Sequence, residues 1–198
     1  MSSKPVLAYF NGRARGEPPR LLLRYIGIDF EDKRYSFDHK TRTSAWFEEK
    51  SKLGLDFPKL PYYIDGEVKL TQSLAILRYL ARKHKLDGAT EMEKNRIAML
   101  EQQSTTYGRG EREFEKKLQT DLALLDKFLG SNRYVAGENI SYVDFWLYEY
   151  LHNIRSTEWV NKSETLDKCS NLTKFEQSIQ SLPQLSAYLK EINAKPDF

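Results

Sequence analysis

Residues 52–84 read KLGLDFPKLPYYIDGEVKLTQSLAILRYLARKH, and the fold is decided in this stretch. Two strand-like pieces, Tyr62–Asp65 and Val68–Thr71, flank Asp65-Gly66, a hairpin signal because type I′ turns need φ > 0. Thr71 leads straight into Gln72-Ser73 and then into a helix with Leu74, Leu77 and Ala81 on one face. The first turn of a helix offers unpaired N–H groups and the positive end of its dipole. Thr71-Gln72-Ser73 is therefore a ready site for a carboxylate. Leu60-Pro61 precedes the first strand, and an X-Pro bond in such a place can be cis, giving a sharp approach to the sheet. Taken alone, the stretch fits an ordinary hairpin and helix without a ligand equally well.

Upstream, Val6–Phe10 is a short apolar run suited to a buried strand. A polar loop, Asn11-Gly12-Arg13-Ala14-Arg15-Gly16, follows it. Glu17-Pro18-Pro19 then opens a helix, since proline is tolerated where the N–H would be unpaired anyway. Leu21, Leu22, Tyr25 and Ile26 form its apolar face and Gly27 its stop. Phe30–Tyr35 reads as a second, more polar strand. Residues 38–51 read as charged and irregular, anchored by Trp46 and Phe47.

Downstream, Gly88 and a loss of apolar periodicity mark residues 85–90 as a linker between a first domain (1–84) and a second (91–198). The second domain reads as helical throughout. Ile97, Leu100 and Ser104 share a face of one helix. Phe114, Leu118, Leu122, Leu125 and Leu129 repeat at three-to-four spacing up to Gly130. Ser141-Tyr142-Val143-Asp144 is a capping box with Ile140 placed to staple against Phe145, opening a helix with Val143, Leu147, Leu151 and Ile154 in register. A last helix spans roughly residues 182–191. There are no internal repeats.

The 198 residues suffice for one large or two modest cores. A net charge of +3 from 31 basic and 28 acidic residues, spread without long runs, leaves no footprint for nucleic acid or an anionic membrane. No segment approaches the apolar length of a membrane span, and Met1-Ser2-Ser3-Lys4 lacks a signal-peptide core. The single cysteine, Cys169, excludes an internal disulfide and suits a reducing compartment, so the expected location is cytoplasmic. It lies in the helical half, where a structural or inert role is expected. His39, His84 and His152 are scattered, and no metal constellation is present.

The 52–84 stretch resembles the glutathione-binding half of cytosolic glutathione transferases, closest to the mu class. The run Tyr9-Phe10-Asn11-Gly12-Arg13-Ala14-Arg15 is similar instead to the alpha and sigma classes. The resemblance covers nearly the whole chain. It implies an α/β thioredoxin-like domain of order β-α-β-loop-β-β-α, followed by an all-α helical bundle. The implied activity is conjugation of the thiolate of reduced glutathione to small hydrophobic electrophiles, with glutathione as co-substrate, no other cofactor, and a homodimeric assembly. A free thiol has a pKa of about 8.5, and a hydroxyl donating to sulfur favours the thiolate; each unit of lowering is worth about 1.4 kcal/mol. The resemblance puts that hydroxyl on Tyr9 and a supporting cation on Arg15.

For the tripeptide it implies contacts from Phe10, from Trp46 and Lys50 to the glycyl carboxylate, from Lys59 and the Leu60-Pro61 backbone to the cysteinyl unit, and from Gln72 and Ser73 to the γ-glutamyl carboxylate. Phe57 and Arg78 match positions at a subunit interface, Phe57 as an aromatic key. On the residues alone, Tyr9 is also a strand-end aromatic, Arg15 and Lys50 solvated charges, Trp46 a packing anchor and Phe57 a core residue.

Three departures separate the chain from the mu pattern. Lys59 stands where an asparagine is usual, Thr106 where many carry an aspartate that reaches across the dimer, and the hairpin around Tyr107-Gly108-Arg109-Gly110 is shortened. The sequence also stops at Phe198, soon after the last helix, without the tail that often covers the active site. The glutathione site is therefore expected to be better preserved than the electrophile pocket. A glutathione-dependent isomerase, or a non-catalytic binding or crystallin-like structural protein, are the alternative readings.

Overall fold

The computed structural model describes residues 4–105, 114–156 and 166–194. Thr106, the 107–110 hairpin tip and the end at Phe198 lie outside the described residues. The chain divides into two compact units, one running to His84 and joined by the end of the last helix from Lys190, the other from Lys85 to Leu189.

In the first unit, β1 (Val6–Phe10) pairs in parallel with β2 (Glu31–Tyr35) and antiparallel with β3 (Tyr62–Asp65), which pairs antiparallel with β4 (Val68–Thr71). The sheet order is β2-β1-β3-β4. Leu7 and Tyr63 occupy one face with α1 (Glu17–Tyr25) and α3 (Ser73–His84), two helices that pack on each other. The opposite face carries Ala8, Tyr35 and Tyr62, under Trp46 and Leu55. This alternation is the period-2 pattern of a sheet buried on both sides.

Several local expectations shift. The hairpin loop is Gly66-Glu67, with φ +60° at Gly66 and no positive φ at Glu67, the sign pattern of a II′ turn with glycine first. The inward face of α3 is Ile76, Leu77, Leu80 and Ala81, while Leu74 is only half-buried. α1 buries Leu21, Leu22 and Leu23 rather than Tyr25 and Ile26, and Gly27 at φ +73° does end it. Residues 45–49 are not irregular. They form α2 (Ala45–Glu49), whose start is capped by the Ser44 hydroxyl accepting from the Trp46 N–H.

The second unit holds α4 (Glu91–Thr105), α5 (Phe114–Leu129), α6 (Tyr142–Ser156), α7 (Ser170–Gln180) and most of α8 (Pro183–Asn193). Its core includes Ile97, Leu100, Leu118, Leu122, Leu125, Leu129, Phe145, Leu151 and Phe175. Cys169 is buried beside the start of α7, and burial pushes its thiol up, which suits an inert group. Arg96 of α4 donates to the Val135 and Phe128 carbonyls and lies over the Phe128 ring. Arg155 of α6 forks onto both carboxylate oxygens of Glu176 on α7.

Candidate functional site

The strand register assembles the first-unit residues. Ala8 lies opposite Tyr62, and Tyr62 opposite Thr71. Both pairings are antiparallel, so the next positions, Tyr9, Pro61 and Gln72, fall side by side at one end of the sheet. With strands about 4.8 Å apart, that row spans roughly 10 Å. The Leu60-Pro61 bond is cis, as its sequence context allowed.

Tyr9 is half-buried, edge-on to Phe10 with centroids 5.8 Å apart. Its hydroxyl makes no hydrogen bond among the described residues. Beneath it lies Arg20, which is fully buried. Arg20 Nε donates to Asp32 Oδ1 at 2.9 Å, Nη1 to Glu17 Oε2 at 3.1 Å and to the Gly12 carbonyl at 2.6 Å, and Nη2 to the Phe10 carbonyl at 3.3 Å. The β1–α1 loop is thus tied to the sheet by one guanidinium, whose Cζ is also 5.9 Å from the Tyr9 ring centroid. Sequence reasoning missed Glu17 and Arg20. Their i,i+3 spacing at a helix start was the only available signal. Arg15 is exposed within the turn Ala14–Gly16 and pairs with no acidic group among the described residues. Ala14 there holds φ +40°.

Trp46 is buried against two tyrosines, stacked on Tyr62 at 5.8 Å and tilted on Tyr35 at 5.6 Å. Its indole N–H has no acceptor among the described residues. Under it the Tyr35 hydroxyl donates to Glu49 Oε2 at 2.9 Å and meets the Tyr62 hydroxyl at 3.1 Å, while Lys33 bonds Glu49 Oε1. Burial pushes Tyr35 up to about 12 and Tyr62 higher still, so both remain neutral. The Lys33 hydrogen bond holds the Glu49 carboxyl below its usual range. This network fixes α2 to β2 and β3. Lys50, one residue on, sets its Nζ 5.5 Å from the Phe47 ring centroid and pairs with no acidic group among the described residues. Lys59 is exposed.

At the head of α3, Gln72 is exposed and held at φ +69°, a left-handed conformation that costs a non-glycine residue about 1 kcal/mol or more. Ser73 is buried, and its hydroxyl has no partner among the described residues. The Gln72 carbonyl accepts from the Ile76 N–H at 3.0 Å, the first helical bond. The amides ahead of it are those a helix start leaves unpaired. Tyr9, Trp46, Leu60-Pro61, Gln72 and Ser73 therefore share one end of the first unit. Phe57 is 67% exposed on the loop before Pro61, and Arg78 is exposed on α3. Among the described residues no group of three or more His, Cys, Asp and Glu side chains is placed to hold a metal, and no helix is long and apolar enough to cross a membrane.

Two family models match the chain, the N-terminal domain of glutathione S-transferases over residues 5–82 and the C-terminal domain over residues 91–191. A glutathione S-transferase of Tyrophagus putrescentiae is 47% identical over 96% of this chain and 91% of its own length. Glutathione S-transferase Mu 1 of Mus musculus is 40% identical over 93% and 90%. The solved Pi-class enzyme of Onchocerca volvulus superposes with a TM-score of 0.78 at 32% identity, covering 97% of this chain and 95% of that one. With a sheet of this order, a helical second unit and both models matched, the chain belongs to the glutathione S-transferase family.

Proposed function

We propose that this protein conjugates the thiol of reduced glutathione to small hydrophobic electrophiles, as a cytoplasmic homodimer of mu-like type. The supporting observation is the row Tyr9, Pro61, Gln72, which sets a hydroxyl, a backbone turn and a helix start side by side at one sheet end. Glutathione lies along that row. Its γ-glutamyl carboxylate meets Gln72 and Ser73, its cysteinyl unit meets the backbone at Leu60-Pro61, and its glycyl carboxylate meets the unpartnered Trp46 indole N–H and Lys50. Phe10 and Lys59 flank the sulfur. In this reading residues 1–84 hold the tripeptide, and the 85–90 linker leads into the second domain, residues 91–198.

The reaction needs the thiol proton to leave to solvent. The Tyr9 hydroxyl donates to the resulting sulfur anion, and Arg15 adds positive potential at the loop. The thiolate's electron pair then forms the C–S bond as the electrophile's leaving group departs with its own pair. Holding the two reactants together supplies the rest of the acceleration. Phe57 supplies an apolar anchor for a second copy, with Arg78 on the same interface.

The test is conjugation of glutathione to an aryl chloride beside calorimetric binding of glutathione. Binding with turnover supports the enzyme. Binding without turnover converts the reading to a ligand-binding protein, and no binding overturns it. Tyr9→Phe should slow conjugation about a hundredfold at neutral pH and raise the bound thiol's pKa, with affinity nearly intact. Unchanged turnover would pass thiol activation to Arg15 or Lys59.

A further inference from the structure

Gly16 closes the turn Ala14–Gly16 and stands just before α1 with φ −83°, a dihedral open to every L-residue. Backbone conformation therefore does not call for glycine here, as it does at Gly27 and Gly66. Space does. A Cβ on Gly16 would lie 2.5 Å from Tyr9 Cγ and 2.6 Å from Tyr9 Cβ and Cδ1. Carbon atoms pack at about 3.5–4.0 Å. The atoms met are the root of the tyrosine side chain, anchored on β1 in the middle of the sheet, so rotation about outer bonds gives no escape. Gly16 is itself buried.

We propose that Gly16 is a positioning residue for Tyr9: its missing side chain is the space in which the tyrosine ring sits, and it fixes where the hydroxyl points. The proposal rests on the reading of Tyr9 as donor to the glutathione sulfur. The same ring faces the Arg20 guanidinium and the edge of Phe10. Arg20 grips the Gly12 carbonyl in the loop and the Phe10 carbonyl at the strand end, so the turn bearing Gly16 is fixed relative to the strand bearing Tyr9. A methyl group at position 16 must displace the ring by about 1 Å, and misplacement on that scale costs up to about a hundredfold in rate. The steric relation is local, and it sets the strength of the hydrogen bond that stabilises the thiolate.

The test compares Gly16→Ala, Tyr9→Phe and the double variant in the full-length protein, with reduced glutathione and an aryl chloride. The pH profile of kcat/KM, calorimetric affinity and thermal midpoint are read for each. Gly16→Ala should raise the apparent pKa of the bound thiol in the direction of Tyr9→Phe. It should lower kcat/KM at neutral pH by roughly 10- to 100-fold and leave glutathione affinity within about twofold. In the Tyr9→Phe background it should add nothing to the pKa. An unmoved profile in Gly16→Ala, where Tyr9→Phe does move it, overturns the proposal. An equal shift in both backgrounds also overturns it, because the effect then bypasses the hydroxyl. A Tyr9→Phe profile identical to the parent overturns the donor reading itself, and this proposal with it. If Gly16→Ala fails to fold, Gly16→Ala with Tyr9→Gly, which removes every Tyr9 atom the new methyl group meets, decides against Tyr9→Gly alone: recovery of folding upholds the clash, and continued failure overturns it.

Discussion

The start of α3 in the first unit and three helix starts in the second are built on opposite terms. Those three are filled by carboxylates of the chain itself. Glu93 Oε2 accepts from the Ala89 and Thr90 N–H groups while the Thr90 hydroxyl accepts from Glu93, closing the start of α4. Asp144 closes α6, its oxygens accepting from the Val135 N–H at 2.8 Å, the Ser141 N–H at 2.7 Å and the Ser141 hydroxyl at 2.7 Å. Asp126, reaching across from α5, accepts from Asn171 and Leu172 at the start of α7. The start of α3 carries no such carboxylate among the described residues. A helix N-terminus stabilises a negative group wherever it comes from. Where the chain supplies it, the result is stability; where the place is left open, a ligand can supply it.

The largest break in this comparison is Asp144→Ala. Three buried donors lose their acceptor, each at a cost of about 1–3 kcal/mol, so the variant should lose roughly 3–5 kcal/mol in urea unfolding. Below its unfolding temperature it should bind glutathione as the parent does. A loss under about 1 kcal/mol would mean that the α6 start is held by packing alone. The same carboxyl also leaves a pH signature. Burial pushes Asp144 up to about 6 from 3.8, despite the hydrogen bonds that pull it down. Between those values the folded chain holds a proton that the unfolded chain has released. This contribution therefore falls as pH rises through the window, by about 1.4 kcal/mol per unit. Asp144→Asn should lack that slope, so the stability difference between variant and parent should change with pH across the window. An unchanged difference across pH 4–6 would show that the native carboxylate is already ionised there.

How far each start was legible follows from the length of chain it spans. Ser141–Asp144 could be read because both partners lie within one turn. Thr90 and Glu93 follow the same grammar, but Gly88 and lost periodicity made that place read as a linker. Asp126 acts on residues 45 positions away, and no local pattern announces it. The site shows the same division. That Tyr9, Gln72 and Ser73 come to one end of the sheet was legible from the strand ends and the hairpin–helix junction, while the glutathione roles proposed for them and for Trp46 and Lys50 rest on family resemblance. Arg20 was not, because a helical arginine ordinarily reads as a solvated charge, and Gly16 was not, because its contact with Tyr9 exists only once strand and helix are packed. α2 is a single capped turn, too short for any periodicity to register.

Of intermediate size is the opening of α3 itself. Gln72→Ala with Ser73→Ala removes side chains that make no hydrogen bond among the described residues, so stability should change by less than about 1 kcal/mol. Glutathione affinity should fall by roughly 10- to 100-fold, the worth of one or two hydrogen bonds to a charged group. Equal affinity would sink the carboxylate assignment. A loss of stability as large as the loss of affinity would make this helix start structural, like that of α6.

The smallest effect is the most discriminating. Gln72 holds φ +69° without the freedom of glycine, at a cost of about 1–2 kcal/mol, and the described residues give its side chain no bond in return. Gln72→Gly should relieve that strain, less the roughly 0.5–1 kcal/mol by which glycine's freedom favours the unfolded chain. The variant should therefore be more stable by up to about 1 kcal/mol, and it should bind glutathione more weakly because the amide is gone. Opposite signs in the two measurements would mark a residue strained for a ligand. If stability and affinity fell together, Gln72 would instead be held by the fold, and the open start of α3 would be closed by contacts of its own, as the helix starts of the second unit are.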